Sequence, residues 1–156
     1  MLALTQIAFF GSQSDSEINQ LFYDKCDAAL HLRNNLVEGS RFYREGDTVD
    51  LLSLSCPGIT PEELRILRDL GYLISVPIDG DEYYPAFQFN PDRGYLPYDS
   101  IKLVNDWIGD SRTAWAPLAW WKSPNRLLEG RTPEQFLGDP YSDEELAEVI
   151  ALDAAA

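Results

Sequence analysis

A chain of 156 residues that is 45% hydrophobic and 12% aromatic is too apolar to stay unfolded, yet too short for two large domains. Its formal net charge of -14 repels phosphate backbones and anionic lipid surfaces, which disfavours unaided nucleic-acid or membrane binding. Two cysteines, Cys26 and Cys56, are too few for a disulfide framework and lack metal-ligand spacing, so reduced thiols in a cytoplasmic protein are expected.

The start, MLALTQIAFFGSQSDSE, has no basic region or sustained apolar run, and neither a signal peptide nor a membrane span is expected anywhere. Ser14 with Glu17 forms a capping box, and Ile18, Leu21, Phe22, Cys26, Ala29, Leu32 and Leu36 then recur at helical spacing until Gly39. This stripe serves docking onto the rest of the chain or self-association into a homo-oligomer equally well. The polar stretch SRFYREGD after it reads as a connector, so residues 1–46 are expected to form an N-terminal helical extension.

Thr48 caps a short predicted helix through Leu54, stopped by Cys56-Pro57-Gly58. A second begins at Thr60, with Pro61 in its first turn and Glu63 completing a capping box, and ends at Gly71. In LISVPIDGDEYYPAFQF, β-branched and aromatic residues flank Asp79-Gly80, a hairpin-turn dipeptide. Tyr84, Pro85, Phe87 and Phe89 alternate as a strand does, which sets Gln88 on the opposite face. Residues 47–96 are therefore expected to form a helix-turn-helix-like pair with a β-hairpin wing.

Residues 97–156 are expected to be a helical bundle. One helix runs from about Pro97 to Ile108, a shorter one holds Trp115, Trp120 and Trp121, Thr132-Pro133-Glu134-Gln135 caps a third, and Ser142 with Glu145 caps the last. The tryptophans suit interface anchors or core packing, and core is favoured for at least two of them. Arg131 is the last basic residue; Glu134, Asp139, Asp143, Glu144, Glu145, Glu148 and Asp153 follow without compensation. Such a run makes a polyanionic arm, although a solvated helix face has the same composition. The fold class expected is mainly α.

Motifs for chemistry are scarce. His31 is the single histidine, without an acidic or thiol neighbour at helical spacing, and no G-x-S-x-G, P-loop, H-E-x-x-H or C-x-x-C string occurs. No catalytic residue, metal site or cofactor is therefore expected, and the protein is read as a non-enzyme. In the second helix of the pair, Arg65 and Arg68 are the candidate DNA contacts, opposed by Glu62, Glu63 and Asp69.

Three strings, ITPEELRILRDLGYLISVP (59–77), YYPAFQFNPDRGYLP (83–97) and WAPLAWWKSPNRLLEGRTPEQFL (115–137), together with a short acidic helical end, resemble the MbcA/ParS/Xre family of bacterial type II antitoxins. The Y-P-A-F-Q-F string is the most specific of them. The resemblance spans residues 59–140, and the chain departs from the family pattern at LGDPYSDEEL. It implies a C-terminal domain that occludes a cognate toxin, often a RES-domain enzyme that degrades NAD, with DNA bound by the complex if at all. The residues expected to touch the toxin are Asn125, Arg126, Arg131, Phe136, Leu137, Tyr141, Glu144, Glu145 and Glu148. A stand-alone DNA-binding regulator and an acidic adaptor are the alternatives.

Overall fold

The computed structural model describes residues 34–109, 114–139 and 142–155. The chain separates into two compact units, Met1–Gly39 and Ser40–Ala156. In the first, residues 34–38 are helical; the capping box at Ser14, most of the apolar stripe, Cys26 and His31 lie outside the described residues.

The second unit is mostly helical and carries a small antiparallel sheet. It opens with β1 (Phe42–Arg44) and α1 (Glu45–Leu52), so the stretch expected to be a connector is a strand and the first turn of a helix. β1 gains its structure from pairing: Phe42 lies opposite Pro85, Tyr43 opposite Tyr84 and Arg44 opposite Tyr83. The guanidinium of Arg44 lies 5.7 Å from the Tyr83 ring, an aromatic-cation pair across the two strands. Nor is Thr48 an N-cap. Arg44 occupies that position with extended backbone, and Thr48, fully buried inside α1, donates its hydroxyl to the Arg44 carbonyl at 2.8 Å.

α2 (Pro61–Asp69) is built as its residues dictate. The Thr60 side chain accepts from the Glu63 N–H at 3.2 Å, Pro61 sits where no N–H is needed, and Gly71 at φ 89 ends the helix. β2 (Val76–Ile78) and β3 (Asp81–Pro85) form the hairpin, with Ile78 opposite Asp81. Asp79 at φ 52 and Gly80 at φ 86 are both left-handed, as a type I′ turn requires. The strand order β1-β3-β2 makes β3 central.

Beyond Pro85 the expected alternation fails. Ala86–Gln88 is a 3-10 turn, followed by β4 (Phe89–Asn90), which pairs with β5 (Leu96–Pro97). Gln88, expected on the face opposite Phe87 and Phe89, is fully buried. Its Oε1 accepts from the Ile74 N–H at 2.7 Å, and its Nε2 donates to the Ile74 carbonyl at 2.9 Å and the Pro85 carbonyl at 3.0 Å. The segment between α2 and β2 has no ladder partner at Ile74, and the Gln88 amide substitutes for one.

α3 (Asp99–Ile108) ends at Gly109, α4 covers Ala116–Lys122, and α5 covers Ser142–Ala155. Around α1 and α2 the core is Leu52, Leu64, Leu73, Tyr84 and Phe89. Ile101 and Val104 of α3, Leu118 and Trp121 of α4, and Leu146, Val149 and Ile150 of α5 are buried as well, and α3 packs against both later helices. Asn105 joins the regions by donating to the Gly71 carbonyl at 2.8 Å. Among the described residues no helix is long and apolar enough to cross a membrane.

Candidate partner-binding groove

The stretch from Asn125 to Phe136 is folded on itself before it meets anything else. Asn125 closes both ends of its turn: its Oδ1 accepts from the Leu127 N–H at 2.9 Å, its carbonyl from the Gly130 N–H at 2.9 Å, and its own N–H donates to the Arg131 carbonyl at 3.0 Å. Glu129 at φ 58 and Gly130 at φ 82 complete the reversal after the 3-10 turn Arg126–Leu128. A second 3-10 turn, Pro133–Phe136, starts with the Thr132 N–H donating to Gln135 Oε1 at 3.1 Å. Lys122 Nζ, 2.9 Å from Glu134 Oε2, fastens that turn to the end of α4.

With the two turns in place, Arg131 stacks its guanidinium over the Phe136 ring, 4.2 Å from the centroid. This pair forms part of one wall of a groove of about 280 Å³, beside Leu127, Leu128 and Glu129. The other wall is α5, through Glu145, Glu148, Val149 and Leu152. Those four positions recur at helical spacing, so they share one face. Leu146, Val149 and Ile150 are buried and hold α5 down, whereas Leu152 is 57% exposed at the rim.

The structure thus brings together Arg131, Phe136, Glu145 and Glu148 from the expected contact set. Asn125 is a latch within its own turn, Arg126 is exposed on that turn, and Leu137 is half-buried outside the groove lining. Glu144 is exposed on α5 but does not line the groove, and Tyr141 lies outside the described residues. Leu127, Glu129, Val149 and Leu152 were not among the residues expected to touch a partner; the spacing Glu145-Glu148-Leu152 carried the signal for the α5 wall.

Charge is distributed unevenly. Among the described residues the ion pairs are Arg65–Glu45, Arg68–Asp69, Arg93–Asp99, Lys102–Asp106 and Lys122–Glu134. None includes Glu129, Glu144, Glu145 or Glu148. The two candidate DNA contacts are both engaged. Arg65 makes a two-pronged contact with Glu45, Nε to Oε1 at 2.7 Å and Nη2 to Oε2 at 3.2 Å, and this hydrogen bond and charge raise its pKa. Arg68 contacts Asp69 at 3.1 Å; burial pulls its pKa down, but the Asp69 hydrogen bond and charge leave it raised.

The tryptophans divide as their burial dictates. Trp121 is fully buried, 5.1 Å from Trp120 and 5.9 Å from Phe87, while Trp120 and Trp115 are half-buried. A larger hollow of about 520 Å³ between the end of α2, the hairpin and α3 has Arg68, Asp69, Glu82 and Asp106 on its walls. Its cation is already paired with Asp69, and Asp106 with Lys102. Among the described residues, no three His, Cys, Asp or Glu side chains are grouped to hold a metal ion. Comparisons with protein-family models, with curated proteins and with solved structures found no match to this chain.

Proposed function

We propose that this protein is an antitoxin that binds a co-encoded toxin through its C-terminal region and blocks the toxin's cleft. The observation that supports this most directly is the pairing of unneutralised carboxylates with an apolar groove on one exposed face: Glu145 and Glu148 beside Leu127 and Leu152. Carboxylates fixed on a helix are suited to arginines that otherwise hold an anionic substrate, because charge-assisted hydrogen bonds are strong and directional. A RES-domain enzyme that consumes NAD offers such a cleft, and occlusion needs no catalytic group here. The family strings at 59–77, 83–97 and 115–137 point the same way.

On this reading α1, α2 and the β2–β3 hairpin are a helix-turn-helix with its wing, and α3, α4 and α5 are the toxin-binding bundle. The protein acts in the cytoplasm, where the substrate of such a toxin resides. DNA binding by the isolated chain is less well supported, since Arg65 and Arg68 are committed to Glu45 and Asp69. The toxin's own charge, or assembly of the complex, would have to supply phosphate neutralisation.

The test is co-expression. The adjacent reading frame is induced alone, with the full chain, and with a chain ending at Arg131, while growth and cellular NAD are followed. Arrested growth and falling NAD, rescued by the full chain but not by the shortened one, is the expected result. Normal growth with the adjacent frame alone overturns the proposal.

A further inference from the structure

We propose that the groove between the 126–136 turns and α5 receives an inserted segment of the partner, an apolar side chain with a lysine or arginine beside it. This rests on the partner-binding reading and adds to it: the acidic helix enters the partner, and the partner in turn enters the groove.

Three observations carry the inference. First, the groove is small: at about 280 Å³ it sits at the lower edge of the range of roughly 300–1,000 Å³ typical of ligand pockets, and it has room for one or two side chains. Second, the surface is apolar where an aliphatic group would rest, against Leu127, Val149 and Leu152, and Leu152 is 57% exposed. Leu152 thus adds an exposed aliphatic group at the rim beside the buried Leu146, Val149 and Ile150, an area that an apolar side chain of a partner would remove from water.

Third, charge fixes the sign of the neighbouring group. Glu129, Glu145 and Glu148 line the groove against a single cation, and none of the three is in an ion pair among the described residues. Arg131, stacked on Phe136, offsets one of the three charges, so the lining keeps a net negative charge. An anionic occupant is therefore repelled. A second copy of the chain is disfavoured for the same reason, since each carries -14 and no base follows Arg131. A cationic, apolar segment of a partner matches the groove in both charge and surface.

The probe is a fluorescein-labelled helical peptide of about 12 residues with leucines on one face and lysines flanking them, titrated by anisotropy into the full chain at about 0.15 M salt. Saturable binding is expected, with methyl resonances of Leu127, Val149 and Leu152 shifting in the labelled protein. Leu152→Ser is expected to weaken binding by about tenfold, and the E145Q/E148Q double variant by at least as much. E62Q/E63Q removes equal charge on α2 and should leave binding unchanged; circular dichroism confirms that each variant is folded. The inference is overturned if the peptide does not bind, if its serine-for-leucine version binds equally, or if E62Q/E63Q weakens binding as much as E145Q/E148Q. In the co-expression assay, a Leu152→Ser chain that binds the toxin with unchanged affinity also defeats the groove while leaving the antitoxin reading intact. Absence of any toxin defeats that reading but not the peptide result.

Discussion

Truncating Gln88 should destabilise the fold more than any surface change. The side chain is fully buried and makes three hydrogen bonds of 2.7, 2.9 and 3.0 Å to the Ile74 N–H, the Ile74 carbonyl and the Pro85 carbonyl. Gln88→Ala leaves a donor and two acceptors without partners; at about 1–3 kcal/mol per unsatisfied group, less for carbonyls with a second bond, plus a cavity, we expect a loss of about 3–5 kcal/mol. That is a large part of the roughly 5–15 kcal/mol that holds a domain together. Gln88→Met retains volume without polarity and should cost about 2–4 kcal/mol, which separates hydrogen bonding from packing. Gln88→Glu places a carboxylate against two carbonyls, so its folded pKa should be raised. Its stability is then present below the unfolded value of about 4.3 and lost as pH rises through the folded one, making this variant worse at pH 7 than at pH 4 relative to the parent. Urea titration followed by tryptophan emission measures all three. A Gln88→Met variant within about 0.5 kcal/mol of the parent would refute the assignment of Gln88 as the bonding partner of Ile74.

At Gly94, φ is 63 and an added Cβ would run into Ser55 Oγ, which donates to the Gly94 carbonyl at 2.8 Å. Gly94→Ala should cost about 2 kcal/mol, and the Ser55→Ala/Gly94→Ala pair less than the sum of the singles in the same urea assay. The Tyr84 hydroxyl is buried without a hydrogen-bond partner, and burial raises its pKa, partly offset by Arg68. Tyr84→Phe should therefore stay within about 1 kcal/mol of the parent at neutral pH. Because the folded pKa is raised, the proton's contribution is complete below the unfolded value of about 10 and is lost as pH rises above it. Melting curves at pH 8 and 10.5 should show a smaller alkaline loss for the variant, and an equal loss in both proteins would count against the burial argument. Lys122→Met removes the partner of Glu134, at 17% and 25% side-chain exposure, and should cost about 1–3 kcal/mol by urea titration. Gel shift of duplex DNA by the isolated chain should show no salt-sensitive complex, and freeing Arg65 with Glu45→Gln is the variant in which one would first emerge.

What the residues announce and what they conceal follows from the range of each interaction. Thr60-Pro61-x-Glu63 and Asp79-Gly80 act within a few residues, and both the start of α2 and the hairpin turn lie where those signals place them. Gly109 and the apolar spacing of Ile101 and Val104 mark α3 equally well. β1 is different: its three residues carry no usable period and exist as a strand because β3 lies alongside, some 40 positions later in register. Gln88 misleads for a related reason. Alternation sets it on the face opposite Phe87 and Phe89 of a continuous strand, but the backbone turns into 3-10 geometry and the amide enters the core to meet Ile74. Thr48 reads as a cap by residue type, yet the helix has begun three residues earlier and the hydroxyl bonds back one turn. For the groove, the α5 wall is visible in helical spacing, whereas the opposite wall depends on how Asn125 closes its turn.

The acids of α5 are not all explained by the helix that carries them. Asp143, Glu144 and Glu145 lie in its first turn, where the positive end of the macrodipole stabilises carboxylates. Glu148 lies beyond that turn. It stands four residues after Glu144 and three after Glu145, spacings at which like charges repel by about 0.2–0.5 kcal/mol per pair, and no base occupies the last turn. A lysine at that position would have served solubility equally and turned repulsion into attraction. It would also have placed a cation in the groove beside Leu152, next to Arg131. Repulsion between carboxylates along α5 is relieved only by cations from outside the helix, and within the described part of this chain no ion pair supplies them. The sign of the charge at position 148 is thus disfavoured by the isolated helix and favoured by a basic partner.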